Sequence, residues 1–387
     1  MDLAVVGGGV QAVALGSSLV RAAIPRAKDF GIIDSQPLLA QWLKGMSYQG
    51  LRELRTPARE HIDPRDATHD LPRFVRERSG GGASPESDIA AKPADVSLWN
   101  AHAARVVQDF GLEARRVSGR VTSLAREGKG FRLELSSVDG PKAIKAARVV
   151  VAIGLGQPSF PEELKGLSGV VHASSVSVHN PIWRGKRVCV VGGGLTAATL
   201  ALELARRDSE VSLLTRSDLT ISQLEADPEW LPKGALQVNF TRMQSPLERL
   251  RQLRCARVGR GITPSVWAPL TRLIDERSVL LHEKAALTGA RSESDGRIMI
   301  PAIGSPVDRV ICATGYRIGL EETHFLRPVL PLLRSVGGLP LLSESFEAVD
   351  LPGLFFIGRL GELVCGPLGR NIPGARHAAR VITEYLA

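Results

Sequence analysis

The chain has few cysteines, and none of them is close to another. Cys189, Cys255, Cys312 and Cys365 have neither the C-x-x-C spacing of a redox pair nor the spacing of zinc ligands. Dithiol chemistry and a zinc site of that kind are therefore excluded, and we predict no metal site. Cys189 and Cys312 lie within apolar runs, which indicates small buried core residues.

Long apolar runs are also scarce. The stretch from Leu3 to Val20 carries no charge, but it contains four glycines, a glutamine and two serines, and no basic segment precedes it. A strand, a turn and a helix explain these residues better than a membrane span or a signal peptide does. We therefore expect a cytoplasmic protein that does not enter a membrane.

Length and composition exclude a single small module and a disordered chain. The 387 residues exceed the roughly 250–300 at which one hydrophobic core stops growing, and 44% of them are hydrophobic. The 49 Lys and Arg against 40 Asp and Glu give a net charge of +9, which favours an anionic partner. Nucleic acid is not expected, because the arginine-rich stretch at 246–260 lacks interleaved aromatics and is typical of a solvated helix face.

A glycine-rich turn near the N-terminus has the form of a dinucleotide site. Gly7, Gly9 and Ala12 make a G-x-G-x-x-A pattern between a short apolar strand and a helix. Gly7 permits the tight turn, Gly9 lets the backbone approach a pyrophosphate, and Ala12 allows close packing of helix on strand. Asp34 ends the next apolar run, where a carboxylate binds a ribose hydroxyl.

A second glycine-rich turn repeats the pattern in mid-chain. Gly192, Gly194 and Ala197 again give G-x-G-x-x-A after an apolar strand. The strand that follows ends in Arg216 rather than in an acid, and a guanidinium there can pair with a 2′-phosphate that a carboxylate would repel. This favours NADPH over NADH; the alternative is a surface arginine without a ligand.

Two dinucleotide turns imply two dinucleotides, and the usual reason to hold both is hydride transfer from a nicotinamide to a flavin. We therefore predict an α/β fold with two Rossmann-like dinucleotide-binding domains, the NADPH domain inserted into the FAD domain. Residues 1–155 and 305–387 are assigned to the FAD domain and 156–304 to the NADPH domain. Two further strands end in small-residue turns at Thr314 and Gly358, where an α/β sheet presents its ligand site. A flexible loop is expected at 79–85.

Several segments together resemble a known family. With the two glycine turns, the segments CATGY at 312–316 and FFIGRLGE at 355–362 look like the two-dinucleotide-binding flavoproteins. Within that superfamily the chain resembles the flavin-dependent N-hydroxylating monooxygenases that act on lysine or ornithine side chains. The more specific parts are Trp42 with LRTP at 54–57, HIDP at 61–64, ADPEW at 226–230, GITP at 261–264 and the tail from Gly366 to Ile372.

The resemblance implies a flavin neighbourhood formed by Trp42, His61, Asp63, Gly358 and Asn371. His61 has an alternative role as a loop histidine bonded to backbone. The chain is shorter than the well-known hydroxylases and lacks a clear match to their amino-acid-binding region. The F-x-G-x-x-x-H signature of other flavin monooxygenases is absent as well, since Gly166, Gly169 and His172 have the wrong spacing.

The implied activity is oxygenation of a nucleophilic small molecule, a neutral primary amine above all, by dioxygen through a C4a-(hydro)peroxyflavin. No side chain is assigned as a catalytic acid or base. One alternative is an NADPH-dependent flavoprotein reductase that passes electrons to a protein or a small molecule. Another is a flavin-binding protein without catalysis. The oligomeric state is open, and a homo-oligomer is compatible with the sequence.

Overall fold

The computed structural model describes residues 1–65, 69–78, 85–154, 156–230, 234–256 and 261–387. Most of the loop expected at 79–85, and the end of the arginine-rich stretch at 257–260, lie outside these ranges.

The strands of the described chain, in order, are β1 (Leu3–Val6), β2 (Phe30–Asp34), β3 (Glu53–Pro57), β4 (Pro93–Asp95), β5 (Arg116–Ser118), β6 (Arg120–Glu127), β7 (Gly130–Ser136), β8 (Lys142–Ala146), β9 (Arg148–Val151), β10 (Gln157–Pro158), β11 (Val170–His172), β12 (Arg187–Val191), β13 (Glu210–Leu214), β14 (Val279–His282), β15 (Arg291–Ser292), β16 (Ile298–Met299), β17 (Arg309–Cys312), β18 (Tyr316–Arg317), β19 (Ser335–Val336), β20 (Leu339–Pro340) and β21 (Leu354–Phe356).

The α-helices of the described chain are α1 (Val10–Ala22), α2 (Ala40–Gln49), α3 (Asp70–Arg78), α4 (Glu86–Ala91), α5 (Val96–Asp109), α6 (Leu195–Ala205), α7 (Ala235–Arg242), α8 (Pro246–Ala256), α9 (Pro264–Asp275), α10 (Glu362–Cys365) and α11 (Ile372–Leu386). In the part of the chain that the structure describes, every helix is too short or too polar to cross a bilayer.

Two five-stranded parallel sheets organise the molecule. The first has the order β21-β9-β1-β2-β5, and the second has the order β11-β17-β12-β13-β14. The central strands are apolar along most of their length because both faces of a parallel sheet are covered. This architecture confirms the predicted α/β class with two Rossmann-like units.

Alternate residues of each central strand enter different cores. On β1, Leu3 and Val5 pack against helices α1, α5 and α11, whereas Ala4 and Val6 pack against the antiparallel β6-β7-β8 sheet. This division follows from the two-residue period of a strand. Within that antiparallel sheet β6 and β7 form a hairpin, and β8 pairs with β7 as the third strand.

The distribution of the chain between the two sheets differs from the predicted boundaries in two places. Strand β17 falls within 305–387, yet it pairs with β11 and β12 in the second sheet. The segment 226–256 falls within 156–304, but its buried side chains pack into the core beneath the first sheet. These side chains are Trp230, Phe240, Leu250 and Leu253. Both differences arise from strand pairing and packing between segments that are distant in sequence. Local sequence patterns do not reveal such contacts.

Arg249 also departs from the expected solvated helix face. On α8 it donates hydrogen bonds to the carbonyl oxygens of Met243 (2.9 Å), Thr241 (3.0 Å) and Leu363 (2.9 Å). Thr241 and Met243 lie where α7 ends and Leu363 lies in α10, so one guanidinium satisfies carbonyls of two helices. Arg251 and Arg254 on the same helix are exposed, as predicted.

Replacing Arg249 by lysine should destabilise the protein, because an ammonium cannot reproduce the three-way fork of hydrogen bonds. We expect the free energy of unfolding in urea to fall by about 1–2 kcal/mol. The matched control Arg251→Lys, on the exposed face of α8, should change it by less than about 0.5 kcal/mol. Equal losses in the two variants would show that the carbonyl contacts of Arg249 contribute nothing.

Candidate dinucleotide-binding site

The first glycine turn lies at the carboxyl end of β1, where helix α1 begins. Gly7 has φ +106°, and a Cβ there would stand 2.8 Å from the carbonyl oxygen of Ala152, so glycine is required. Gly9 is the N-cap of α1, and a Cβ at this position would meet nothing within 4 Å. No side chain caps the N-terminus of α1, and its first turn carries no acidic residue. The positive end of the helix dipole therefore faces open space. This geometry fits a pyrophosphate.

Asp34 and Ala12 occupy the positions predicted from the sequence. The Asp34 carboxylate accepts a hydrogen bond from the backbone N–H of Gly8 (2.7 Å) and another from that of Gln36 (2.9 Å). It therefore lies beside the glycine turn and keeps further lone pairs for hydroxyl donors. Ala12, in the first turn of α1, is fully buried in the core of the first unit.

The second glycine turn reproduces the first at the carboxyl end of β12. Gly192 has φ +147°, and a Cβ there would approach the Ala313 oxygen to 2.5 Å and the Ala197 methyl to 3.3 Å. Gly194 is the uncapped N-cap of α6, and a Cβ there would again meet nothing within 4 Å. The same cradle for a pyrophosphate is thus present twice.

The two turns differ at the residue that faces the middle glycine. Beside Gly193 stands the buried Thr215, whose hydroxyl donates to the Ser217 carbonyl (2.9 Å), where the first turn has Asp34. Arg216 follows and is exposed, and it forms no ion pair with any residue that the structure describes. A free guanidinium next to the turn is what a 2′-phosphate requires.

A short two-stranded linker brings the two turns to one junction. The chain leaves the first unit through β10 and returns through β18, and these two strands pair antiparallel. Ser159 donates its N–H to the Gly315 oxygen (2.9 Å), and the half-buried Thr314 hydroxyl donates to the Ser159 oxygen. Since Ala152 and Ala313, which contact the two glycine turns, lie just before these strands, the carboxyl edges of both sheets open toward the same junction.

His172 supports the linker from the second unit. Its Nε2 hydrogen-bonds the Gly315 carbonyl oxygen (2.9 Å) and its Nδ1 lies 2.9 Å from the Ser174 hydroxyl. Burial lowers the pKa of His172, which the Gly315 hydrogen bond opposes in part. A neutral, hydrogen-bonded ring at this point holds the turn that follows Thr314.

The C-terminal tail closes over the first turn. Gln11, in the first turn of α1, donates its Nε2 to the Gly369 carbonyl oxygen (3.0 Å). Gly358 has φ +69°, and a Cβ there would stand 3.5 Å from the Gln11 side chain. Asn371 is the half-buried N-cap residue of α11 and makes no capping hydrogen bond. The structure thus brings Gly358 and Gly369 to the first glycine turn, whereas a role of Asn371 there stays a prediction.

Trp42 lies on α2, which starts directly beside that turn. Leu39, with φ +64°, donates its N–H to the Gly8 oxygen (2.7 Å) immediately before the helix. The Trp42 indole N–H donates to Asn100 Oδ1 (3.0 Å), and the ring packs on Trp99 with centroids 4.9 Å apart. The ring is therefore held against α5, on a helix that begins beside Gly8.

His61 and Asp63 lie deeper, packed among α1, α5 and α11. His61 is fully buried, its Nδ1 accepts the backbone N–H of Asp63 (3.2 Å), and burial lowers its pKa to about 3. Asp63 is taken up by the guanidinium of Arg65, which also pairs with Asp109 (2.7 Å). These contacts are those of a loop histidine and of a buried carboxylate paired with an exposed arginine, so a role of either residue at a flavin stays a prediction.

One group of possible metal ligands occurs among the described residues. It consists of Asp63, Asp70 and His102, whose ligand atoms lie within 4.8 Å of one another. Asp70 is held by His102 Nε2 (2.6 Å) and by Arg105, and Asp63 is held by Arg65. Hydrogen bonds and the positive charges of Arg65 and Arg105 already compensate the two carboxylates. The group is therefore poorly suited to binding a cation.

The sequence reading missed a set of arginines between the two units. Arg55, on β3, donates to the carbonyl oxygens of Ser222 (3.3 Å) and Gly261. Arg370, in the tail, pairs with Glu225 at 3.1 Å. The neighbouring Arg359 directly follows the Gly358 turn. Arg55 lies in the segment LRTP and Arg359 in FFIGRLGE, but the sequence pattern does not show that Glu225 and Arg370 influence both.

Comparison with known proteins supports the same fold. A family model described as pyridine nucleotide-disulphide oxidoreductase matches residues 82–248. None of the curated protein sequences compared matches the chain.

Solved structures match over the entire chain. An ornithine N-hydroxylase of Kutzneria sp. 744, determined with reduced FAD, NADP⁺ and L-ornithine, has a TM-score of 0.80 at 16% identity, covering 100% of this chain and 98% of its own. The FAD-bound cadaverine monooxygenase of Erwinia amylovora gives 0.76 at 15% identity, covering 100% and 94%. The bacillithiol disulfide reductase of Bacillus cereus gives 0.65 at 17%, covering 99% and 98%.

These matches confirm the predicted resemblance to N-hydroxylating flavoproteins at the level of the fold. The same fold also carries a reductase, so the fold by itself does not choose between oxygenation and electron transfer.

The two glycines of the second turn should respond differently to a methyl group. Gly192→Ala places a Cβ against the Ala313 carbonyl at positive φ and should destabilise the fold. Gly194→Ala should leave stability within about 0.5–1 kcal/mol but weaken NADP⁺ binding at least about tenfold, since the methyl occupies the open space at the helix terminus. Urea unfolding and titration with NADP⁺ measure the two effects. An unchanged affinity for NADP⁺ in Gly194→Ala would contradict the assignment of the open space at the start of α6 to the pyrophosphate of NADP⁺.

Proposed function

We propose that this chain is an FAD- and NADPH-dependent monooxygenase that hydroxylates the nitrogen of a primary amine. The observation that carries the proposal is the pair of uncapped glycine turns, each at the carboxyl edge of a parallel sheet, with one two-stranded linker between the two sheets. FAD suits the first turn, because Asp34 can bind ribose and the tail with Gly358 covers it. NADPH suits the second, because Arg216 can bind a 2′-phosphate.

The reaction balances without a protein nucleophile. NADPH, a proton, dioxygen and an amine R–NH2 give NADP⁺, water and the hydroxylamine R–NHOH; one oxygen atom enters an N–H bond and the other is reduced to water. FAD, when bound, would accept the hydride and activate dioxygen. The amine must be neutral to act as a nucleophile, although its free pKa resembles the ~10.4 of lysine.

The chain itself would contribute positioning and exclusion of water. The glycine turns and helix termini would hold the two pyrophosphates, and the linker fixed by Thr314, Ser159 and His172 would set the distance between the cofactors. The tail packed on Gln11 would keep water from the reacting atoms. Cytoplasmic location and self-association remain predictions.

A flavoprotein reductase is the second candidate, favoured by the match to a disulfide reductase. Cys365 lies beside Gly369 in the tail; it is buried, and its thiol donates to the Gly361 oxygen (3.3 Å). Burial raises its pKa to about 12, so it is poorly suited to thiol chemistry. A reductase activity would therefore need an external acceptor.

The proposal is tested by incubating FAD-loaded protein with NADPH, dioxygen and a panel of amines: ornithine, lysine, putrescine and cadaverine. We expect one amine to accelerate NADPH consumption and to yield hydroxylamine in near-equal amount. Catalase should change neither the amount of NADPH consumed nor the amount of hydroxylamine formed. If NADPH consumption ignores every amine but an electron acceptor accelerates it, the reductase reading replaces the monooxygenase.

Arg216→Ser should reduce the preference for NADPH over NADH. Loss of a charge-assisted contact to the 2′-phosphate predicts a KM for NADPH raised about 10- to 100-fold, while the KM for NADH stays nearly constant. Arg251→Ser, another exposed arginine far from the turn, serves as the control. If both coenzymes are affected equally, Arg216 is a surface arginine without this role.

A further inference from the structure

The chain crosses between the two units at a second place besides the β10-β18 linker. It leaves the second sheet where β13 ends at Leu214, and it returns to the second unit at Ile262, which is fully buried in the core of that unit. Between these points lies an arm, residues 226–256, whose buried side chains pack beneath the first sheet. The arm is thus joined to the second unit by an outgoing segment, 215–225, and by a returning segment that reaches Ile262 through Gly261.

The outgoing and returning segments pair where they pass each other. Ile221 forms a parallel bridge with Ile262. The Ile262 N–H donates to the Thr220 oxygen (2.7 Å), and the Ser222 N–H donates to the Ile262 oxygen (3.0 Å). A Cβ at Gly261 would stand 2.4 Å from the Ser222 Cβ, so glycine is needed for this close approach of two backbones. This contact is the base of the arm.

Arg55 of the first unit holds both segments at the base of the arm. It lies on β3 next to Leu54, which is buried in the core of the first unit. The guanidinium donates to the carbonyl oxygens of Ser222 (3.3 Å) and Gly261, one on each segment. The side-chain amide of Gln223 donates in return to the Arg55 carbonyl oxygen (3.0 Å). One residue of the first unit is therefore bonded to the outgoing and to the returning segment.

A guanidinium suits this position better than an ammonium does. Its five N–H donors lie in one rigid plane, so it can bridge two carbonyl oxygens at once. Arg55 is half-buried; burial lowers its pKa, Glu225 on the outgoing segment raises it in part, and Arg370 lowers it further. Glu225 itself pairs with Arg370 (3.1 Å). The two carbonyl oxygens are therefore the hydrogen-bond acceptors of the guanidinium at the base of the arm.

Other contacts between the units lie nearby on the same segment of the first unit. The Val178 N–H donates to the Tyr48 oxygen (2.9 Å), and Arg52 approaches the buried Glu203 of α6 to 3.6 Å. Arg52 is exposed, so its ion pair contributes little to the free energy of association of the two units. The Tyr48 contact is a single backbone hydrogen bond, whereas Arg55 joins two segments by a half-buried fork.

We propose that Arg55 is a positioning residue that fixes the NADPH unit against the FAD unit for hydride transfer. This inference rests on the proposed function, in which NADPH loses a hydride with both its electrons and becomes NADP⁺, and FAD gains the hydride. The β10-β18 pair joins the units at one junction, and Arg55 joins the first unit to the base of the arm at another. Together the two junctions restrict rotation of one unit against the other, which sets the geometry of the reacting atoms.

The first test follows flavin reduction in FAD-loaded protein mixed with saturating NADPH without oxygen. Arg55→Gln removes the fork and should slow reduction about tenfold, while the affinity for NADP⁺ stays within about twofold because both glycine turns are untouched. Arg55→Lys, whose ammonium can still serve one carbonyl, should give an intermediate rate. Arg251→Gln, on the exposed face of α8 in the same arm, is the control and should react at the wild-type rate.

Hydrogen exchange of the protein without NADPH gives a readout that does not depend on turnover. In Arg55→Gln the amides of Ser222 and Ile262, which pair the two segments, should exchange at least about tenfold faster, while those of β12 stay protected. Gln223→Ala keeps the guanidinium and should shift both readouts in the same direction by a smaller factor. If Arg55→Gln does not fold, Arg55→Lys and Gln223→Ala carry the test.

Three outcomes would overturn the inference. Reduction at the wild-type rate in the Arg55 variants would show that the fork does not set the geometry of transfer. A loss of NADP⁺ affinity that accounts for the slower reduction would assign Arg55 to coenzyme binding, and faster exchange throughout β12 would assign it to general stability. If instead the Arg55 variants behave as expected but wild-type protein forms hydroxylamine from none of the amines, the proposed monooxygenase function fails while the role of Arg55 stands.

Discussion

The pairing of two short linker strands is the constraint on which the rest of the molecule depends. β10 and β18 are two residues each, yet they join the carboxyl edges of both parallel sheets, and the Thr314–Ser159 and His172–Gly315 hydrogen bonds fix the turn between them. Because ligands of parallel sheets bind at their carboxyl edges, two sites that open on one junction can exchange a hydride. A change in this pairing would separate the sites without altering either one.

A second constraint is the placement of charge between the units. Arg55 and Glu225 reach across the boundary, and Arg370 and Arg359 lie side by side in the tail. Part of the +9 surplus stands near the candidate sites, at the exposed Arg216 beside the second turn and at Arg55 and Arg370 between the units. Another part, at Arg249, serves carbonyl groups and is structural.

The sequence predicted what depends on local geometry. A turn that needs positive φ at Gly7 and Gly192 and open space at Gly9 and Gly194 leaves a direct glycine pattern, so both turns and the α/β class could be predicted. Membership of β17 in the second sheet and packing of 226–256 under the first depend on long-range pairing. The surroundings of Arg55 and Arg359 were missed for the same reason, because Glu225 and Arg370, which influence both, come from other segments of the chain.

The central claim is that the two dinucleotide sites are arranged for hydride transfer. The most direct measurement mixes FAD-loaded protein with NADPH in the absence of oxygen and follows the visible absorption band of the flavin. We expect the band to bleach, faster with NADPH than with NADH, since the two turns share one junction and Arg216 lies beside the second. An unchanged band, in the presence of NADPH shown to be bound, would contradict the account.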